Sequence, residues 1–302
     1  MKINRVALFA LKLAVSVLSL YIVLSKADIN QIIAMLQKIG LVSFLIASLL
    51  YIVSICASAW RWKLLLPERF RFRRLFSLYM IGCFFSTFLP GVIGGDVVKA
   101  YYLNKDAKKL SLTLASVFMD RYLGYVSLMI IGMGAYPFAV RFFGDSVYKL
   151  AMPLIFIAFA VGSVLFFGLK LGRRFKTVSE FYDYFVLLKA KKGVIAKAIV
   201  ISLVIQVIGL TAVTVLASAM GEKIPILPLL VFLPIIITIS SLPISISGLG
   251  VREGSFVLLL GLIGVKPAVA TSLSLSWFFS TFLGSFPGLV AYIRHGGGAA
   301  KQ

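Results

Sequence analysis

The chain has 302 residues, 61% of them hydrophobic, and a mean hydropathy of +1.03. Soluble domains carry an apolar share near half or below, so this composition excludes a soluble protein and predicts a single integral membrane domain over residues 1–302. The formal charge of +21 would suggest nucleic-acid binding if the basic residues shared one folded face. They fall instead in short gaps between apolar segments, as the positive-inside rule describes, and we expect no nucleic-acid partner.

The first part of the chain contains two predicted spans and one broken apolar segment. Residues 6–24 and 41–60 each form a segment long enough to cross a bilayer. The loop that follows residue 60 is rich in basic residues, which places it on the cytoplasmic side. The next apolar run, 75–89, is shorter than the roughly 20 residues of a crossing, and Pro90 with the glycines behind it stops the helix. Because basic residues flank both sides, residues from about 75 to 109 are predicted to form a re-entrant hairpin that dips in from the cytoplasm.

The second part contains four predicted spans and a second broken segment. The spans cover residues 112–138, 148–169, 194–220 and 268–293. Basic residues follow the last span, so the C-terminus is expected in the cytoplasm, like the N-terminus. The tract 227–266 must then begin and end outside, and it is broken at Pro234 and Pro243. It is predicted to form a second re-entrant hairpin that enters from the opposite face.

These elements predict an all-α polytopic membrane protein with about six full transmembrane helices and two opposed re-entrant hairpins. The two hairpins share a weak sequence repeat of small polar residues, Leu-Pro, an apolar spacer, a glycine pair and charge. Three predicted spans lie between the two hairpins. An inverted repeat requires an odd number of spans at that place. Inverted repeats with discontinuous helices are typical of transporters that bind substrate near the middle of the bilayer.

Metal or cofactor chemistry is not indicated by the residues that usually support it. Cys56 and Cys83 lie in apolar tracts without metal or disulfide spacing, and the single histidine, His295, has no second ligand type near it in the sequence. We therefore expect no metal, no cofactor and no Ser-His-Asp catalytic set.

The charges and glycines at the two breaks are the candidate functional residues, because charged groups inside a membrane are costly and mark functional sites by default. Glycines would let a phosphate approach free backbone N–H groups, and an arginine adds a permanent cation. The candidates for binding an anionic headgroup are Gly94, Gly95, Asp96, Lys99, Asp120, Arg121, Gly248, Gly250, Arg252 and Glu253.

Within this set, the cations Arg252, Arg121 and Lys99 are expected to hold the phosphate. The carboxylates are expected to orient those cations or to accept a coupling proton. Adjacent residues of a helix point in different directions, so we expect pairing between the two halves of the chain. The expected pairs are Arg252 with Asp96 or Asp120, and Glu253 with Arg121 or Lys99.

A purely structural interpretation stays open for the same residues. In that interpretation the glycines permit tight turns and close packing, and the charges form an ion network without a ligand. Arg61 follows Trp60 at the end of a predicted span, where aromatic rings and cations suit the headgroup region. We expect Arg61 to anchor at the membrane interface rather than to bind substrate.

These motifs resemble the flippase-like transmembrane domain of lysylphosphatidylglycerol synthases and its stand-alone relatives. The resemblance rests on Arg61-Trp62, Leu89-Pro90 through Gly94-Gly95-Asp96, Asp120-Arg121, and Pro243 through Gly248-x-Gly250-x-Arg252-Glu253. It implies an inner-membrane protein that moves a lipid headgroup across the bilayer, with relatives linked to aminoacylated phospholipid, polyprenyl-linked sugar or hopanoid pathways. The charges that it implies for the conducting site are Asp96, Asp120, Arg121, Arg252 and Glu253.

Two departures from the family pattern narrow what the resemblance implies. The aminoacyl-transferring soluble domain of the synthases is not recognisable, so synthase activity is not expected. Ser276-Trp277 stands where relatives often carry an arginine. The resemblance therefore does not indicate which headgroup the chain prefers.

The predicted function is a lipid flippase or scramblase, not an enzyme, that moves a phospholipid or a polyprenyl-phosphate-linked lipid across the plasma (inner) membrane. The alternatives are a membrane-embedded polyprenyl-phosphate glycosyltransferase, with Asp96 or Glu253 as base or metal ligand, and a subunit that supports such an enzyme. The expected partners are a membrane lipid with an anionic headgroup, a second copy of the chain and a lipid-biosynthesis enzyme.

Overall fold

The computed structural model describes residues 5–26, 28–67, 70–88, 93–169 and 176–299. These residues form twelve α-helices and two short 3-10 helices, and no strand occurs among them. The helices are α1 (Arg5–Lys26), α2 (Ile29–Leu65), α3 (Phe72–Phe88), α4 (Ile93–Ala107), α5 (Leu110–Ala139), α6 (Ala151–Leu169), α7 (Lys176–Ala190), α8 (Lys192–Ala219), α9 (Ile226–Ser241), α10 (Val251–Gly261), α11 (Pro267–Ser285) and α12 (Pro287–Ala299). The predicted all-α class is confirmed.

Within the described part of the chain, five helical stretches are long and apolar enough to cross a bilayer. They are Ile29–Leu65, Leu110–Phe143, Val147–Leu169, Lys192–Ala219 and Pro267–Arg294. Each corresponds to one predicted span, and the chain is a multi-pass membrane protein. The remaining predicted span, residues 6–24, falls in α1, whose apolar stretch Lys12–Ser25 is shorter than these five.

Helix α2 starts earlier than the sequence pattern predicts and bends on its way to the membrane segment. The Asp28 carboxylate accepts a hydrogen bond from the Asn30 backbone N–H at 2.9 Å, so it caps the helix and sets its start at Ile29. The bend lies at Gly40, which has a φ of +67°. Only glycine adopts that φ without strain, and the predicted span, 41–60, begins directly after it.

The two predicted hairpins correspond to two pairs of short helices. In the first pair, Arg74 at the start of α3 forms an ion pair of 2.8 Å with Asp106 at the end of α4, so the two helices run antiparallel. The break between them, including the predicted Pro90, lies outside the described residues. The second pair, α9 and α10, is separated by a turn over residues 242–250.

The chain order places three of these five stretches, α5 with its 3-10 extension, α6 and α8, between the two helix pairs. This is the connectivity that two opposed hairpins require. The insertion of the pairs from opposite membrane faces, the inverted repeat and the cytoplasmic position of both termini stay predictions.

The largest apolar core holds α5, α8, α9, α10 and α11 together, with α2 packed against it. Helix α5 packs closely on α6 and α9 at Gly132, where a side chain would collide with Met152 and lie against Pro234. This core buries α9 as far as Ile236, and the second break begins after the helix ends at Ser241.

Candidate functional site

A cavity of about 420 Å³ lies between α2, α5, α8, α9, α10 and α11. Two charged residues line it, Arg121 of α5 and Arg252 of α10, and no described carboxylate does. Its hydroxyl and amide groups come from Tyr51, Ser54, Gln206, Ser240, Ser241, Ser247 and Thr281. The cavity therefore presents two cations and many hydrogen-bonding groups among apolar lining residues.

The second break forms one wall of this cavity because the chain cannot stay helical there. Helix α9 ends at Ser241, and Pro243 cannot supply the N–H that a longer helix needs. Residues Ser247, Gly248 and Gly250 then take positive φ angles of 54°, 76° and 81°. This turn reverses the chain and starts α10 with Arg252 in its first turn.

The turn also contacts the first helix pair directly. The Ser247 hydroxyl donates a hydrogen bond of 3.1 Å to the backbone carbonyl of Ser86, near the end of α3. Beside it, the buried Ser240 hydroxyl, whose residue lines the cavity, has no hydrogen-bond partner among the described residues. The two helix pairs therefore meet at the edge of the cavity.

Arg121 is held at the cavity by the first helix pair. Its Nε donates to the Asp96 carboxylate at 2.6 Å, and its side chain stays 39% exposed. Asp96 lies in the first turn of α4, where the helix dipole favours a negative charge. A guanidinium has five N–H donors, and no other partner of Arg121 occurs among the described residues. Donors remain free to bind a ligand.

Arg252 is held within the second helix pair. Its Nε and Nη2 donate to one Glu253 oxygen at 3.1 and 2.7 Å. Its Nε also donates to the Ser274 hydroxyl at 3.1 Å, and the guanidinium lies 4.8 Å from the centre of the Phe278 ring. These contacts fix the guanidinium at the cavity wall.

Glu253 is fully buried behind that arginine and closes the first turn of its own helix. Its Oε2 accepts from the Gly250 N–H at 2.6 Å, and its Oε1 accepts from Ser274 at 2.9 Å. Each cavity arginine thus has a carboxylate directly behind it, Asp96 for Arg121 and Glu253 for Arg252.

The predicted pairing between the two halves of the chain is wrong. Arg252 pairs with its neighbour Glu253, and Arg121 pairs with Asp96. The Glu253 side chain folds back to its helix start, and the long Arg252 side chain can curl over to reach it. A helix sets the direction in which each side chain leaves the backbone. The Arg252 and Glu253 side chains are long enough to bend toward each other in spite of it.

A third group of charges is buried next to the Arg121–Asp96 pair. Asp120 accepts from Arg61 at 2.9 Å, from Tyr79 at 2.8 Å and from Lys99 at 3.2 Å. Lys99 also lies 3.5 Å from Asp96 and above the rings of Trp62 and Tyr79, at 4.6 and 4.0 Å. Asp120 and Lys99 are buried and line no part of the cavity. They support the site from behind, and the structure does not place Lys99 where a headgroup could reach it.

The expectation that Arg61 anchors at the membrane interface is wrong. Its side chain is buried, and it donates to Asp120 and, at 2.8 Å, to the Ser202 hydroxyl of α8. In the same motif the two tryptophans differ, because Trp60 is exposed and Trp62 is buried. Arg61 is buried because it pairs with Asp120, a buried carboxylate on α5. The sequence around Arg61 does not indicate this partner.

The four candidate glycines do not line the cavity. A β-carbon at Gly95 would collide with the Gly82 carbonyl, and one at Gly250 would collide with the Ser16 carbonyl and Ser19 of α1. Gly248 adopts a positive φ and lies close to Ser240, and Gly94 lies in the first turn of α4. At Gly95, Gly248 and Gly250 the open structural interpretation, tight turns and close packing, describes the observed contacts.

Several residues at the site were not among the candidates. Ser274 of α11 forms hydrogen bonds with both members of the Arg252–Glu253 pair. Gln206 is a lone amide in the apolar helix α8, and that isolation is the signal that could have identified it. Trp277, which the resemblance singled out as a departure, lines the cavity.

Comparison with known proteins agrees with this architecture. A family model described as "Lysylphosphatidylglycerol synthase TM region" matches residues 9–288, which include all of the site residues named above. No curated protein and no solved structure matches the chain.

Proposed function

The chain belongs to the family of lysylphosphatidylglycerol synthase transmembrane regions, and we propose from this membership and from its cavity that it is a flippase or scramblase for a phosphate-bearing lipid. The family supports a function connected with membrane lipids. The proposed substrates are a phospholipid or a polyprenyl-phosphate-linked lipid. The proposed location is the plasma (inner) membrane, with both termini in the cytoplasm.

One observation carries the proposal: both charged residues that line the cavity are arginines. A guanidinium presents a fork of donors that matches the oxygens of a phosphate. Arg121 comes from the first half of the chain and Arg252 from the second, so a headgroup in the cavity could contact both halves.

The cavity lowers the main barrier to lipid movement across a bilayer. A charged headgroup that enters hydrocarbon alone loses its hydration, at a cost on the order of tens of kcal/mol. Arg121 and Arg252 would replace part of that hydration, and the surrounding hydroxyl and amide groups would replace more. The acyl chains of the lipid could stay in the bilayer, because exposed apolar residues such as Val207 of α8 border the cavity.

The carboxylates behind the arginines keep binding reversible. A phosphate at Arg121 competes with Asp96, and one at Arg252 competes with Glu253. Two unpaired arginines would hold an anionic headgroup tightly, and transport requires release as well as binding. In this mechanism Arg121 pairs again with Asp96, and Arg252 with Glu253, when the lipid leaves.

Glycosyl transfer would make a different demand on the same residues. A general base must lie within hydrogen-bond reach of the substrate. Asp96 and Glu253, the carboxylates considered for that role, each bind an arginine and do not line the cavity. The geometry therefore favours transport.

The test is lipid movement by the purified chain in liposomes without nucleotide. A fluorescent phospholipid and a fluorescent polyprenyl phosphate serve as probes, and a membrane-impermeant reductant measures their transfer between leaflets. Truncating one partner of a buried charge contact costs about 2 to 5 kcal/mol, so we expect Arg121→Gln and Arg252→Gln to slow transfer at least about tenfold. The control, Arg141→Gln, changes the same charge at an exposed site outside the cavity.

Three results would overturn the proposal. Equal transfer rates for the wild-type chain and both cavity variants would remove the arginines from the mechanism. Turnover of a sugar donor without lipid transfer would favour the glycosyltransferase, and an effect only in the presence of a partner enzyme would favour a supporting subunit.

A further inference from the structure

A second groove, of about 770 Å³, lies at the outer surface of the helix bundle between α3, α11 and α12. Its walls are apolar except for Ser77, and one end carries two arginines, Arg73 and Arg294. The apolar wall residues include Phe76, Met80, Phe286 and Val290. The groove does not share a lining residue with the central cavity.

The two arginines are free to bind a ligand. Both are exposed, and neither has a hydrogen-bond or ion-pair partner in the described part of the chain. The neighbouring Arg74 differs, because it is paired with Asp106. No described carboxylate lines the groove, so its charged end is uncompensated.

The apolar wall is fixed in place and faces outward. A side chain at Gly288 would collide with the Met80 carbonyl, so α12 packs directly on the backbone of α3. Phe286 and Val290 remain 42% and 49% exposed beside this contact. In a membrane-spanning bundle, such an exposed apolar surface contacts the acyl chains of lipids. The groove provides a defined place where an acyl chain can lie.

We propose that this groove binds one anionic phospholipid of the surrounding leaflet as a resident ligand. The lipid phosphate lies between Arg73 and Arg294, and an acyl chain lies along Phe286 and Val290. The first turn of α3 is at the same end, where the helix dipole favours an anion. Basic pockets between membrane helices bind anionic headgroups in this way, and this end of the bundle is predicted to face the cytoplasm.

A second copy of the chain fits this surface less well. The chain has 31 Lys and Arg residues against 10 Asp and Glu residues, so its own surface offers few carboxylates for the two arginines. An interface that buried them unpaired would carry a high desolvation cost. Membrane lipid supplies both the negative charge and the apolar chains.

The proposal is tested by native mass spectrometry of the full chain in detergent with added phosphatidylglycerol or phosphatidylcholine. The wild-type chain is the background, and Arg252→Gln is measured beside it, so that lipid lost from the central cavity is distinguished from lipid lost from the groove. We expect one retained phosphatidylglycerol per chain and little retained phosphatidylcholine. Each arginine near an anionic group contributes about 1 kcal/mol, so Arg73→Gln with Arg294→Gln should weaken retention roughly 30-fold.

The matched control is Arg71→Gln, which removes an equal charge from an exposed residue near the same helix end but outside the groove. It should retain phosphatidylglycerol like the background chain. A phosphatidylglycerol with a photoreactive acyl chain should crosslink to the segment 283–294, which reports on the site in chains that fold. Equal retention of both lipids, no loss in the double variant, or crosslinks only outside that segment would overturn the proposal, as would a lipid-free dimer that covers Val290.

Discussion

The Ser247 hydroxyl donates a hydrogen bond to the Ser86 carbonyl, and this bond joins the turn after α9 to the last turns of α3. The two residues are 161 positions apart and belong to the two different helix pairs. Ser247 also lines the central cavity. The contact therefore connects the two breaks at the edge of the proposed lipid path.

We expect replacement of Ser247 by alanine to speed lipid transfer about two- to twelvefold. A neutral hydrogen bond contributes about 0.5 to 1.5 kcal/mol, so its loss makes separation of the two helix pairs easier by that amount. Transfer in liposomes measures the effect. The control is Ser163→Ala, whose hydroxyl donates within its own helix α6, to the Phe159 carbonyl. An unchanged or lower rate in Ser247→Ala would show that this contact does not hold the path closed.

Asp120→Asn should destabilise the fold strongly. Asp120 is buried and neutralises two buried cations, Arg61 and Lys99. Removing one partner of a buried ion pair costs about 3 to 5 kcal/mol. Thermal unfolding of the purified protein in detergent measures the loss. Asp106→Asn is the matched control, because its pair with Arg74 is about one-third exposed and should contribute less than about 1 kcal/mol. Similar unfolding temperatures for both variants would contradict the structural role of Asp120.

Gly250→Ala should destabilise the second break more than Gly264→Ala does. Both glycines have a φ near +80°, so alanine is strained at either site. At Gly250 the new β-carbon would also collide with Ser19 and the Ser16 carbonyl of α1, whereas at Gly264 nothing lies within 4 Å. The difference between the unfolding temperatures of the two variants measures the effect of the collision with α1. Equal unfolding temperatures would show that the collision has no effect.

Arg252→Lys should lower lipid transfer by about tenfold while the fold is retained. Lysine keeps the charge but lacks the fork of donors that binds Glu253 and a phosphate together. The measurement is transfer in liposomes together with the unfolding temperature. Full activity in Arg252→Lys would mean that charge alone is sufficient and that no two-pronged phosphate contact forms.

Opposite insertion of the two helix pairs predicts opposite accessibility at their outer ends. With Cys56 and Cys83 replaced by alanine, Arg71→Cys before α3 should react with an impermeant thiol reagent only from the cytoplasmic side. Lys223→Cys before α9 should react only from the other side. Both positions are exposed. Labelling of both from one side would contradict the two opposed hairpins and the inverted repeat.

The sequence alone determined the membrane class, the positions of five crossing stretches and the second break. These features depend on local properties: a run of apolar residues forms a helix that crosses the bilayer, and Pro243 ends a helix wherever it occurs. The sequence also identified Arg121, Arg252 and their carboxylates as unusual, because charge in an apolar segment is visible without a structure.

Only the tertiary structure decided which charges meet and which face the cavity. Arg61 is buried because Asp120 approaches it from another helix, and Glu253 pairs with its neighbour because its side chain folds back on α10. Gly95 and Gly250 serve close packing because another helix backbone lies against each of them. The partner of a long polar side chain depends on which helices pack together in three dimensions, and hydrophobic periodicity carries no information about it.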